Sequence, residues 1–240
     1  LWWGAMEAFG LNAFFAKRPG DVWAYLVTDP GAAAHRAELF GALVETLALA
    51  VPGYLAGLAA GAALAVALTL APGLAATALP AAIALRSIPI VTTAPLIVLA
   101  LGRGAAGTIA LVAVMIFFPV FVAALHGLAR APGQVLDVFE SYAAGPLRRL
   151  AHAQLPAMLP AFFAAARMSL PAAILAVTVV EWLATGRGVG ALMAISASLS
   201  DYAMLWSAVV VVALATVAGH ALVAAAEARV LSRYAGEQRR

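Results

Sequence analysis

Long apolar runs alternate with short polar stretches along this chain, and the runs reach the length that crosses a membrane. No Asp, Glu, Lys or Arg occurs from Thr46 to Leu85, a stretch of 40 residues. About 20 apolar residues cross the roughly 30 Å hydrocarbon of a bilayer. This stretch therefore holds one span and part of another, with Pro72-Gly73 as the turn between them. The pattern places span two at 40–68, span three at 79–101, span four at 105–127, span five at 157–182 and span six at 204–227. Residues 1–15 are apolar but too short to cross, so they are read as the end of a first span truncated at its start. On that reading the chain is part of a longer polypeptide. Trp2 and Trp3 then serve as interfacial anchors. The predicted fold class is all-α, a single transmembrane domain over 1–240 with about six membrane helices.

The polar stretches are as informative as the runs. Residues 16–38 are rich in charge and turn formers, and a short helix over Asp21–Val27 is predicted to lie on the surface. Residues 183–203 read as an external loop with a short helix, and 229–240 as a basic tail. The most polar interior stretch is 129–160, where Arg130, Asp137, Glu140, Arg148, Arg149 and His152 fall within 23 residues. Within it, Leu136, Phe139, Tyr142 and Ala143, then Leu147, Leu150 and Ala151, stand at helical spacing. Pro132-Gly133 and Gly145-Pro146 punctuate it, and Leu155-Pro156 and Leu159-Pro160 are expected to close it. It reads as two short amphipathic helices outside the membrane, over 130–156, joined by a Gly-Pro turn. An apolar helix face outside the bilayer needs a surface to bury it, and a soluble partner supplies one.

Composition agrees with the pattern. The chain is 65% hydrophobic and 10% charged, with mean hydropathy +1.01, where soluble domains carry about 25% charge. It has no cysteine, which excludes disulfides and thiolate metal sites. The net charge is +3, without a basic cluster interleaved with aromatics, so nucleic acid is not an expected partner. Arginines at membrane edges account for the charge. Seven Lys or Arg fall on the side of the central stretch and the tail and five on the other. That excess puts the central stretch and both termini in the cytoplasm.

A charge inside a bilayer costs several kcal/mol unless paired or hydrated. Arg86 sits in span three beside Pro89, Thr92, Thr93 and Pro95. Either these line a pathway or gate, or Arg86 snorkels to the interface. Arg167 in span five is expected to snorkel to the cytoplasmic surface. Glu181, next to Trp182, either pairs with Arg187 as a loop anchor or lines an outer gate. His220 is expected to pack against a neighbouring helix through a hydrogen bond. Gly57 and Gly61 form a small-xxx-small pair suited to close helix packing, unless they reflect only an Ala/Gly-rich composition. No HExxH, GxSxG or Walker A motif is present, so the chain is not expected to be an enzyme or to bind a cofactor itself.

The central stretch resembles the cytoplasmic loop of binding-protein-dependent ABC importer permeases of the type I fold. The match runs from Asp137 through Phe139, Ser141 and Ala143 to Leu155-Pro156. Arg86-Ser87-Ile88-Pro89, Phe117-Phe118-Pro119, Leu155–Pro160 with Ala165-Ala166-Arg167, and Glu181-Trp182-Leu183 with Gly188-Val189-Gly190 look like further segments of that family, in order over 16–232. The branch most similar handles nitrate, sulfonates, taurine and pyrimidine precursors. The resemblance implies a permease subunit in the inner membrane that forms a translocation pathway and pairs with a second copy or a fused homologous half. It implies an external substrate-binding protein, and a cytoplasmic ATPase dimer that binds the ATP and magnesium. The coupling residues implied are Asp137, Phe139, Glu140, Ser141, Tyr142, Ala143, Gly145 and Leu147. Asp137 stands where the family has Glu, and Phe139 replaces a small residue. Ala143 replaces a Gly and is expected not to take the left-handed backbone that Gly adopts at low cost, which puts the turn between the two helices in question. The competing functions are a secondary transporter or channel driven by an ion gradient, and a membrane scaffold or intramembrane enzyme. Dependence of uptake on a separate ATPase discriminates the first reading from these. Residue contacts to a small planar or anionic solute are assigned to Trp182, Thr92 and Thr93.

Overall fold

The computed structural model describes residues 2–71 except 11 and 13, residues 104–234, and positions 73, 100 and 102. Span three, with Arg86, Pro89, Thr92 and Thr93, lies outside the described residues. The described chain is helical: α1 (Trp2–Ala8), α2 (Pro19–Trp23), α3 (Ala32–Leu70), α4 (Ala105–Leu128), α5 (Gly133–Ser141), α6 (Pro146–Arg149), α7 (Leu155–Val180), α8 (Gly188–Ser198) and α9 (Tyr202–Tyr234). Three π-helical turns, Ala24–Thr28, Leu150–Gln154 and Glu181–Thr185, join α2 to the next loop, α6 to α7, and α7 to the loop before α8.

Among the described residues four helical runs are long and apolar enough to cross a membrane: Ala32–Leu70, Ala105–Leu128, Pro146–Thr185 and Tyr202–Tyr234. Span four matches its predicted limits, and the others are longer. The 39-residue α3 is about 58 Å long at 1.5 Å per residue, so it projects past a bilayer. It begins eight residues before the predicted start of span two, inside the stretch expected to be a loop. Ala32-Ala33-Ala34 are strong helix formers, and the polar first turns gain tertiary partners described below. Helix α9 likewise continues through Ala224–Ala228 to Tyr234, into what was expected to be tail.

The core is a three-helix sandwich of α3, α4 and α7, built on Ala50, Tyr54, Leu111, Val112, Ile116, Val120, Ala173, Val177 and Val180. Helices α3 and α4 approach so closely because Gly53, Gly57 and Gly61 lie one above the other on α3. A Cβ on Gly57 would stand 2.7 Å from the Ala113 carbonyl oxygen, and one on Gly61 would stand 2.8 Å from that of Phe117. The small-xxx-small reading of Gly57 and Gly61 is thus the one the packing follows, extended by Gly53. The Tyr54 hydroxyl donates 2.8 Å to the Ala166 carbonyl of α7, satisfying a buried polar group as an apolar interior demands.

The bundle has two distinct ends. At one, Leu68, Leu128, Leu150 and Met158 pack together beneath α5 and α6. At the other, Leu39, Val189, Met204 and Ala208 join α3, α8 and α9. The predicted closure of the central stretch at Leu155-Pro156 and Leu159-Pro160 is corrected. The chain runs as one helical rod from Pro146 to Thr185. Pro156 falls in the first turn of α7, and the wider π turn of 150–154 before it takes up the misfit where a proline lacks a donor.

Candidate functional site

At the end of the bundle marked by Leu68 and Leu150, α5 and α6 form a helical hairpin. Its turn is a Schellman motif. The Ala143 N–H donates to the Glu140 carbonyl and the Ala144 N–H to the Phe139 carbonyl, each at 2.9 Å. That geometry needs a left-handed residue just past the helix, and Ala143 takes it with φ +50°. The expectation that alanine avoids this conformation is therefore corrected: two turn hydrogen bonds hold it there against a cost of about 1–2 kcal/mol. Gly145 is extended and caps α6, with Pro146 in its first turn, where the missing donor costs nothing.

The hairpin buries little of itself. Val135, Val138, Tyr142 (83% exposed) and Leu147 (69% exposed) present an apolar ridge outward. Leu136 and Phe139 are half-buried, and Leu150 is buried in the core. Asp137, Glu140, Ser141, Ala143 and Gly145 are exposed around the ridge, with Ser141 Oγ donating 2.9 Å to the Val138 carbonyl. The structure thus brings the eight predicted coupling residues into one projecting element. It adds Val135 and Val138, which helical spacing from Tyr142 (i, i−4, i−7) identifies.

The opposite end holds a buried polar knot. The Glu181 side chain, 1% exposed, sits in the π turn after α7. Its Oε2 lies 2.9 Å from Thr46 Oγ1 and accepts the Gly190 N–H at 3.0 Å. Thr46 Oγ1 accepts the Val189 N–H at 2.9 Å, and Glu45 Oε2 accepts the Gly188 N–H at 2.9 Å. The first three N–H groups of α8, which no helical carbonyl can serve, are thus all capped by side chains. A Cβ on Gly188 (φ +81°) would overlap the Glu181 carboxyl, and one on Gly190 the Thr178 carbonyl. Of the two readings of Glu181, pairing with Arg187 does not occur: the ion pair among the described residues is Arg167 with Glu227. Trp182 is half-exposed beside it. Sequence reading missed Glu45 and Thr46. Their signal was polar residues opening a long uncharged run.

Beside this knot, residues 14–28 are clasped to the start of α9. The Tyr25 hydroxyl donates to Asp201 Oδ2 at 3.2 Å, and Trp206 Nε1 donates to the Phe15 carbonyl at 2.8 Å. The His35 ring stacks on Tyr25 at 3.9 Å, and Arg36 donates to the Leu26 carbonyl. Burial, then the Asp201 carboxylate, pushes the Tyr25 hydroxyl up to about 12. Trp2 stacks on Trp206 at 5.3 Å. Arg167 pairs with Glu227 of α9 at 2.6 Å. His220 is exposed on α9.

An α-helical bundle with several membrane-length helices and an apolar hairpin standing out from one end defines a class, the multi-pass membrane protein. Comparison with known proteins makes the class particular. The family of binding-protein-dependent transport system inner membrane components matches residues 53–233, and the chain belongs to it. It has that family's type I permease fold, and the family is one of transport components rather than enzymes. A probable ABC transporter permease protein of Haemophilus influenzae is 36% identical over 141 residues, 59% of this chain and 58% of that protein. The riboflavin transport system permease protein RibX of Chloroflexus aurantiacus is 28% identical over 155 residues, 65% of this chain and 58% of that protein. The formylaminopyrimidine transport permease protein ThiX of Halalkalibacterium halodurans is 29% identical over 111 residues, 46% of this chain and 44% of that protein. The chain thus aligns with 58% of the length of the first two relatives and 44% of the third.

Proposed function

We propose that this chain is the permease subunit of an ABC importer, forming the translocation pathway for a small solute and coupling to a separate cytoplasmic ATPase through residues 134–152. The observation that carries this reading is the α5–α6 hairpin. Val135, Val138, Tyr142 and Leu147 form an exposed apolar ridge with no cover among the described residues, rimmed by Asp137 and Glu140. A helical ridge of this kind seats in a groove of a partner. Closure of the two ATPase subunits on ATP and magnesium then moves the hairpin. Because the rod from Pro146 to Thr185 is continuous, that movement reaches the opposite end of the bundle as a near rigid-body displacement.

On this reading the hairpin end and the α9 C-terminus face the cytoplasm, and the end with α8 and residues 14–28 meets an external substrate-binding protein. A second copy or a fused homologous half completes the pathway, with Glu181, Trp182, Arg86, Pro89, Thr92 and Thr93 near its gate. The solute on this reading is a small planar or anionic molecule, which is supported by the names of relatives that transport riboflavin, formylaminopyrimidine and, in Escherichia coli, aliphatic sulfonates.

The test is co-purification with the ATPase subunit, comparing wild type with Asp137→Lys plus Leu147→Asp. Capture by wild type and loss in the variant, with both inserted in membrane, supports the coupling role. Absence of capture by either, with uptake driven by an ion gradient, overturns it in favour of a secondary transporter.

A further inference from the structure

At the end of the bundle opposite the hairpin, a cavity of about 510 Å³ lies between α2, the start of α3 and α9. That volume falls within the roughly 300–1,000 Å³ of sites that hold small molecules. Val22 and Trp23 line it from α2, Phe40 from α3, and Val210 and Leu214 from α9. Arg36 is the one charged residue of the described lining. Trp23, Phe40 and Leu214 are exposed at its rim, so the cavity opens sideways from the flank of two membrane-length helices.

Two observations set its depth in the bilayer. Trp2 stacks on Trp206 and lines the same cavity as Trp23, with Trp3 next to it in the chain. Tryptophan collects at the headgroup level of a membrane, and this cluster marks that level on the bundle. Leu39 packs with Met204 and Ala208. Arg36, about one turn before Leu39 in α3, therefore stands on the headgroup side of that contact. Val210 and Leu214, further along α9, stand on its hydrocarbon side, about 12 and 18 Å from Tyr202 at 1.5 Å per residue. A cation at headgroup depth above an apolar slot at acyl-chain depth matches an anionic amphiphile.

We propose that this cavity holds one acyl chain of an anionic phospholipid, whose phosphate is bound by Arg36. A guanidinium carries five N–H donors in a fork that suits phosphate. One serves the Leu26 carbonyl, and Arg36 forms no ion pair among the described residues. The carboxylates nearest in sequence do not take its place. Asp21 accepts the Arg18 N–H, and Glu38, two positions along α3, does not share a helix face with Arg36. A soluble planar solute needs several placed polar groups to orient it, and this lining offers a single charged one. The bound lipid joins α2 to α3 and α9. The site requires only that the chain spans a membrane, and is independent of whether an ATPase docks on the hairpin.

Native mass spectrometry of the full chain, released from bilayers of equal phosphatidylglycerol and phosphatidylcholine, tests it. One phosphatidylglycerol per copy is expected to stay bound, favoured about fivefold over phosphatidylcholine by the single cation. Leu214→Trp, at an exposed position where a larger side chain fills the cavity mouth without a clash, should abolish retention. Arg36→Gln should lose the preference and Arg36→Lys keep it. Equal retention of the two lipids by wild type overturns the proposal, as does retention unchanged in both Leu214→Trp and Arg36→Gln, which marks lipid bound at no particular site. A soluble solute retained in place of lipid overturns it too. The chain has no cysteine of its own, so Leu214→Cys reads one more occupant: a disulfide between copies in the membrane, with no lipid retained, assigns this face to a second copy and overturns the lipid site.

Discussion

The Arg167 guanidinium of α7 lies 2.6 Å from the Glu227 carboxylate of α9, a contact that ties the last membrane helix to the rod bearing the hairpin. Glu227 is the less exposed partner and Arg167 about one-third exposed. Removing one partner of a buried pair costs about 3–5 kcal/mol; partial exposure here reduces that to roughly 1–3 kcal/mol. Arg167→Glu is expected to lower the melting temperature in detergent, and Arg167→Glu with Glu227→Arg to restore most of the loss. A double variant no better than the single one would remove the pair as the cause.

Two glycines of α3 are expected to answer differently to one methyl group. Gly57→Ala drives a Cβ into the Ala113 carbonyl and Ile116 and should cost about 1–3 kcal/mol. Gly41→Ala meets nothing within 4 Å and should be neutral or stabilising by up to about 1 kcal/mol. Thermal unfolding of the two variants side by side checks this.

Ala143→Gly is expected to stabilise the hairpin turn, since glycine takes the φ of +50° found at this position without the penalty on a Cβ. A gain of about 0.5–1 kcal/mol corresponds to roughly two- to fivefold slower amide exchange at positions 143 and 144. Ala143→Val should speed exchange instead.

The clasp at Tyr25 carries a pH dependence with a definite sign. Its pKa stands at about 12 in the fold, above the ordinary 10, so the neutral phenol is the favoured form. The stabilisation is full below pH 10 and is lost as pH rises toward 12. Tyr25→Phe should cost about 1.5–3 kcal/mol at pH 8, the value of a hydrogen bond to a charged group. The two melting curves should converge as pH passes through that window.

Much of the architecture was legible in the sequence because membrane helices announce themselves through length and apolarity alone. Span four was placed within a residue of α4, and the hairpin was readable from Leu136, Phe139 and Tyr142 at helical spacing with Gly145-Pro146 behind them. The ends of the helices were less legible. His35 and Arg36 read as loop because a polar turn has no apolar signature, yet they extend α3 once the Tyr25 and Leu26 carbonyls give them partners. Pro156 and Pro160 read as breaks because a sequence does not show the π turn of 150–154 that precedes Pro156, nor that Pro160 is carried inside the helix.

The site divides in the same way. Local pattern alone determined that the chain is an all-α, multi-pass protein with a pair of short amphipathic helices between spans four and five, since periodicity and composition act within a few turns of helix; that Gly57 and Gly61 form a close-packed face was decided by the packing of α3 on α4. Only the tertiary structure decided that Glu181 meets Thr46 across 135 residues, that Arg167 meets Glu227, and that Ala143 turns left-handed. Each of these depends on which helix faces which at a given height, a relation set by packing the whole bundle.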